Sequence, residues 1–157
     1  MSTSYSGNSM VRRVQAIADY QFGRGTGVKI FPEGCEFTHS RTGRIRQVLD
    51  EGMRLATVRA EDGRLTLGIE GALRLKEALA APGYRVTIDP SVAEFARSGK
   101  NAFARHVTAA DPAIRAGDEV LVVGEDDELL ATGSAMMSGE EMLAFNYGVA
   151  VKVRQGR

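Results

Sequence analysis

The sequence predicts an α+β protein, a small N-terminal α+β domain followed by a small closed or nearly closed β-barrel with short helices. Three observations predict it. Val11, Val14, Ile17, Ala18 and Phe22 recur at helical spacing near the start of the chain. Short alternating segments separated by turn residues follow, and Ala80-Ala81-Pro82-Gly83 then breaks the pattern. Behind that break a further series of short strands and two short helices fills about 75 residues, the density of a small barrel. The expected boundaries are 1–8 for a disordered Ser/Gly/Asn-rich end, 9–82 for the first domain and 83–157 for the second.

Taken in order, Ser9 is the expected cap of the first helix, with Arg12, Arg13 and Asp19 mostly off its apolar stripe. Gly23-Arg24-Gly25-Thr26-Gly27 superficially resembles a nucleotide-binding loop. It follows a helix instead of a strand and lacks the GxGxxG spacing, so it reads as a helix stop. From Val28 to Leu67 short strands are expected, around Phe37 and Thr38, around Ile45, Val48 and Leu49, at 55–59 and at 65–69. The Ser40-Arg41-Thr42-Gly43 turn separates the first two, and Asp62-Gly63 is a strong hairpin signal between the last two. A helix over 70–79 closes the first domain.

The second domain opens with an alternating strand, Tyr84 to Ile88. Ser91 with Glu94 predicts a capping box for a short helix ending near Arg97. The Gly99-Lys100-Asn101 corner leads into a strand expected from Ala102 to Thr108. This corner reads in two ways: as an anion site with free backbone amides beside an ammonium, or as a plain glycine helix terminus. Strands at 119–123 and 129–135 flank the acidic turn Glu125-Asp126-Asp127-Glu128, which reads as solvated. Ser138 and Glu141 predict a second capping box. The last strand, 149–154, alternates apolar residues with Lys152 and Arg154, placing both cations on one face.

Composition bounds the function. Among the 157 residues, 43% are hydrophobic and 25% charged, and 20 basic residues balance 20 acidic ones, so overall charge argues neither for nor against nucleic acid. The distribution is uneven: 12 basic and 9 acidic residues up to position 81, then 8 and 11. Such asymmetry can still make a basic face on a neutral protein. Cys35 is the sole cysteine, so no internal disulfide forms and a reducing interior is expected. With no apolar run of membrane-spanning length and a polar start, the expected localisation is cytoplasmic, with no membrane partner.

In the second domain, 99–107 (Gly-Lys-Asn-Ala-Phe-Ala-Arg-His-Val), Asp111-Pro112-Ala113-Ile114-Arg115-Ala116-Gly117-Asp118-Glu119-Val120, Ala131-Thr132-Gly133 and 148–154 together carry a family pattern. On these residues it resembles the PUA domain, the RNA-binding β-pseudobarrel of pseudouridine synthases and archaeosine transglycosylases. Ala18 to Gly23 and Ser40 to Arg46 are similar to the accessory domain that precedes PUA in archaeosine tRNA-guanine transglycosylases and archaeosine synthases. Those enzymes also carry a (β/α)₈ catalytic barrel, which takes about 250 residues. The expectation is therefore a non-catalytic, archaeal-type accessory protein for tRNA modification.

The resemblance implies that the tRNA acceptor stem and 3′ end lie against the PUA surface. Arg97, Gly99, Lys100, Asn101, Phe103, Arg105, His106, Lys152 and Arg154 are the candidate RNA-binding residues there, and Arg41, Arg44 and Arg46 form a second cluster. Asn101 is alternatively a turn residue, His106 a core histidine and Phe103 a core side chain. The arginine cluster is alternatively a solvated hairpin face or a protein contact. Cys35 and His39 lie four apart, but only His106 remains to join them, so no metal site is expected. No catalytic residue and no cofactor is expected. A catalytic tRNA-modification subunit is an implied partner, and a homo-oligomer is compatible with the sequence. The alternative reading is a protein-interaction subunit of a split transglycosylase whose PUA fold binds no RNA.

Overall fold

The computed structural model describes residues 2–157, of which 2–7 are described only as helical backbone. The chain divides into two compact units that meet at Leu79 and Ala80.

The first unit opens with α1 (Ser2–Phe22), which buries Val11, Val14, Ala18 and Phe22. The helical backbone begins ahead of Ser9, the expected cap, because the apolar stripe reports where a helix packs and not where it starts. The disordered end expected over 1–8 falls largely outside the residues whose side chains are described. The glycine run does end α1, yet a short helix missed in the sequence follows, α2 (Thr26–Ile30). Two hydrogen bonds tie it to α1: Asp19 Oδ1 accepts from the Gly27 amide at 2.7 Å, and the Thr26 hydroxyl donates to the Ala18 backbone carbonyl at 3.1 Å.

Four strands, β1 (Glu36–His39), β2 (Ile45–Asp50), β3 (Met53–Val58) and β4 (Leu65–Leu67), form an antiparallel sheet in chain order. The helix α3 (Ile69–Ala78) buries Gly71, Ala72 and Leu75 and packs on β3, with Gly71 close against the Leu55 carbonyl. Gln21 completes the edge of β4: its amide nitrogen donates to the Leu65 carbonyl at 3.0 Å and its oxygen accepts from the Leu65 amide at 2.7 Å. A side chain of α1 thus substitutes for a neighbouring strand.

The second unit contains β5 (Arg85–Ile88), α4 (Ala93–Arg97), β6 (Ala102–Phe103), β7 (Val107–Ala110), β8 (Glu119–Val123), β9 (Leu129–Ala135), α5 (Gly139–Ala144) and β10 (Val149–Gly156). Its six strands run β6-β10-β9-β8-β5-β7, with β5 and β8 parallel. The outer strands β6 and β7 are joined by only the 3₁₀ turn Ala104–His106, so the sheet curls until its edges almost meet. The result is a nearly closed barrel around Val86, Ile88, Ile114, Val120, Val122, Leu130 and Val151.

The continuous strand expected over 102–108 is therefore broken. The Ala104 amide donates to the Gly148 carbonyl and the Asp89 amide to the His106 carbonyl, each at 2.9 Å, tying the turn to both flanks. The first predicted capping box is also corrected. Pro90 starts a 3₁₀ turn, Asp89 accepts from the Ser91 amide, and α4 begins without a side-chain cap. The second forms in full between Ser138 and Glu141. In the link before β8, Asp111 accepts from the amides of Tyr84 and Ala113 and Asp118 from that of Arg115, which explains an acid at each position.

Candidate nucleic-acid interface

The corner after α4 is closed by backbone hydrogen bonds. The Gly99 amide donates to the Ala96 carbonyl at 3.0 Å and the Lys100 amide to the Phe95 carbonyl at 2.9 Å. This is the Schellman arrangement, and it needs Gly99 at φ 94°, a conformation glycine adopts without strain. The free amides considered from the sequence are thus engaged in ending the helix. Lys100 supplies its ammonium alone.

That geometry opens a groove of about 340 Å³ between α4 and the β6 segment. Ile88, Val92 and Ala96 form its apolar wall, and Lys100, Asn101, Phe103, Arg105 and His106 line the rest. Two aromatic rings stand at the groove with unusual exposure: Phe95 at 59% and Phe103 at 41%. Phe95 was not singled out in the sequence. No sequence signal marks it, because its exposure follows from α4 burying only Ala96.

The Arg105 guanidinium lies 5.8 Å from the Phe103 ring centroid, in cation–π range. Its Nε also donates to His106 Nε2 at 3.2 Å. Asp89 has its carboxyl pushed below the usual range, first by the hydrogen bond from the Ser91 backbone and then by the Ser91 side chain, with a smaller contribution from His106. Asn101 has the structural role open to it: its Oδ1 accepts from the Val153 amide at 3.0 Å, pinning the corner to β10.

The structure thus gathers Lys100, Asn101, Phe103, Arg105 and His106, with Gly99 shaping the corner. Arg97 and Arg154 are held differently. Arg97 pairs with Glu94 at 3.1 Å and Glu128 at 3.0 Å, and the Glu128 carboxylate is the main reason its guanidinium is held more firmly protonated than usual. Arg154 pairs with Glu119, which is only 5% exposed. A register shift between Val153 and Gln155 breaks the alternation expected of β10, while Lys152 stays exposed opposite Ser134. The acidic turn is likewise only partly free, because Asp127 and Glu128 are both ion-paired.

Arg41, Arg44 and Arg46 belong to the first unit, on and after the β1–β2 turn, where the Gly43 amide donates to the Ser40 carbonyl at 3.0 Å. All three are exposed. Cys35 is buried, and burial, reinforced by the nearby negative charge of Asp50, pushes its thiol up to about 11. Among the described residues no three His, Cys, Asp or Glu side chains cluster as metal ligands would, and no helix is long and apolar enough to cross a membrane.

A barrel closed over a short helix, with an aromatic and cationic groove at its side, defines a class of α+β proteins ending in a PUA-type domain. Residues 84–157 match the PUA domain family, and residues 12–82 match the family described as the patch-forming domain C2 of tRNA-guanine transglycosylase. The two matches follow one another along the chain, a transglycosylase-type C2 domain and then a PUA domain.

Among curated relatives it is 60% identical over 146 residues to the tRNA-guanine(15) transglycosylase of Pyrococcus abyssi, a match covering 93% of this chain and 25% of that protein. The chain thus spans about a quarter of the length of the relatives it matches. Among solved structures, a hypothetical protein from Pyrococcus horikoshii shares its fold with a TM-score of 0.73 at 24% identity, covering 94% of this chain and 90% of that one. A conserved PUA domain protein from Thermoplasma acidophilum matches with a TM-score of 0.64 at 19% identity, covering 96% and 89%.

Proposed function

We propose that this chain is an RNA-binding accessory protein for tRNA modification, engaging a tRNA acceptor stem and its 3′ single-stranded end and doing no chemistry itself. The observation that carries the reading is the groove between α4 and β6. It combines two exposed aromatic rings, an apolar wall and the cations Lys100 and Arg105. Aromatic faces stack unpaired bases whatever their identity, while cations hold the phosphates between them. Such a groove suits a single-stranded end better than a continuous duplex. His106 Nε2 and the Arg105 guanidinium add directional hydrogen bonding at the rim. Lys152 extends the cationic surface, whereas Arg97 and Arg154 act mainly through their ion pairs to hold the barrel around the groove.

The similarity to tRNA-guanine(15) transglycosylases over 93% of the chain supports a role beside such an enzyme, with its catalytic part as partner. A second reading, a protein-interaction subunit, is favoured by one feature. Phe145 and Tyr147 stack with ring centroids 5.6 Å apart while Tyr147 remains exposed, a form common in protein contacts.

The test is binding to a tRNA with and without its 3′ single-stranded end across a salt series. Salt-sensitive binding that weakens when the end is removed supports the accessory reading. Absence of binding to either RNA at low salt overturns it and leaves the protein-contact reading.

A further inference from the structure

The second unit exposes an apolar segment that neither its core nor the groove beside α4 uses. The connection from β9 through α5 to β10 leaves and returns at one place. The Met136 amide donates to the Ala150 carbonyl at 2.8 Å, and the Met137 methyl lies against Gly148. Between these ends α5 buries Met142 in the barrel core, and every residue from Leu143 to Gly148 is then exposed. Leu143 is 53% exposed and Tyr147 70%, and Met136 and Phe145 are exposed beside them.

Charge is almost absent from this surface. From Leu129 to Val151 the only charged residues are Glu140 and Glu141. Glu141 directs its carboxylate to the Ser138 amide at 2.8 Å, within the capping box of α5. No cation lies in the segment to hold a phosphate, and the two carboxylates repel one, so the surface does not suit RNA. Recognition is left to Met136, Leu143, Phe145 and Tyr147. The Phe145 and Tyr147 rings lie within 8° of parallel, so their stack presents a flat face. Together the four side chains expose on the order of 400 Å² of largely apolar area. A dimer of ordinary size buries about 800 Å² on each partner, a little over half of it apolar. The segment thus supplies the apolar centre of one such interface.

We propose that this segment is the contact between two copies of this chain, an isologous interface in which the Phe145–Tyr147 stack of one protomer meets the same stack of the other. A twofold contact requires a surface complementary to itself. Flat rings and a flexible thioether meet that requirement. A strongly basic partner would find in the segment one carboxylate, Glu140, outside the capping box. The formal net charge of zero sets no overall repulsion between copies. The inference rests on the protein-contact reading of these rings, names the partner, and stands whether or not the groove beside α4 binds RNA.

The experiment is sedimentation equilibrium of the full chain without RNA, over a concentration series at about 0.1 M and about 1 M salt. The wild-type protein is expected to pass from a 16.9 kDa monomer to a dimer with a Kd of about 1 to 100 µM. Tyr147→Ala and, separately, Leu143→Glu should each weaken the dimer about tenfold or more. Salt should leave the wild-type dimer unchanged or tighter. A protein that stays monomeric up to about 1 mM overturns the inference and leaves the protein-contact reading to an unlike partner. Wild-type affinity in both variants overturns it as well, because the contact then lies elsewhere. So does a dimer that dissociates as salt rises, which rests on ion pairs. Loss of tRNA binding in Tyr147→Ala at unchanged dimer affinity assigns the rings to RNA, and overturns both the inference and the protein-contact reading. Should one variant fail to fold, judged by circular dichroism, the other decides.

Discussion

Arg85, at the start of β5, and Asp127, in the turn between β8 and β9, are joined by a 2.8 Å bond from the guanidinium Nε to the carboxylate, 42 residues apart in the chain. Arg85 is only 5% exposed and also donates to the Gly83 carbonyl at 3.1 Å. Asp127 stands at φ 65°, which Asn also tolerates. Asp127→Asn keeps the backbone and removes the charge facing a buried guanidinium. The expected loss is about 1–2 kcal/mol of unfolding free energy, below the cost of breaking a fully buried pair because Asp127 is partly exposed. Urea denaturation of both proteins measures it.

Phe95 and Phe103 contribute binding and little stability in the proposed reading. Replacing either with Ala is expected to weaken binding to RNA carrying a 3′ single strand by about 1–3 kcal/mol. Because Phe95 is mostly exposed and Phe103 about two-fifths exposed, the unfolding free energy should move by about 0.5 kcal/mol or less for Phe95→Ala and by about 1 kcal/mol for Phe103→Ala. A binding loss accompanied by an equal loss of stability would assign the rings to the barrel core instead.

Gly133, in β9, faces the backbone of β10 so closely that a Cβ would collide with the Lys152 carbonyl. Gly133→Ala should therefore force the two strands apart, at about 1–3 kcal/mol. Amide hydrogen exchange would show it as faster exchange along β9 and β10 than elsewhere in the second unit.

Cys35 should titrate late. Its folded-state thiol stands at about 11 against an ordinary 9.0, mainly through burial. The neutral thiol is the form the fold favours, so its contribution to stability is complete below about pH 9 and is lost as pH rises through about 11. Other groups titrate in the same range, so the comparison is with Cys35→Ala, which should show a shallower loss of stability over that window. At neutral pH the native thiol should react slowly with thiol reagents and the urea-unfolded chain quickly. Equal rates would show that the thiol is accessible in the folded protein.

Local chemistry was legible in the sequence. The apolar stripe of α1, the Asp62-Gly63 hairpin, the Ser138–Glu141 capping box and the Gly99 helix terminus all depend on neighbours within a few residues. The link from Pro112 to Val120 was legible as well, because its Asp side chains bond amides close by. The helix α2 was not, since its hydrogen bonds come from Asp19 and Ala18, a turn and more earlier. Nor was the break between β6 and β7, which is imposed by the need to join the two edges of a curled sheet with three residues.

The sequence by itself determined the two-unit α+β plan, the barrel and the family resemblance, because periodicity and turn chemistry act over a few residues. Only the tertiary structure decided which cations carry their own counter-charge. Arg154 finds Glu119 at a separation of 35 residues and Arg97, in α4, finds Glu128 just ahead of β9, whereas Lys100, Arg13, Arg44 and Arg46 find none among the described residues. Charge is written residue by residue, but neutralisation depends on distance in space. The same holds for Phe95 and Tyr20: hydrophobicity belongs to the residue, and exposure belongs to the fold.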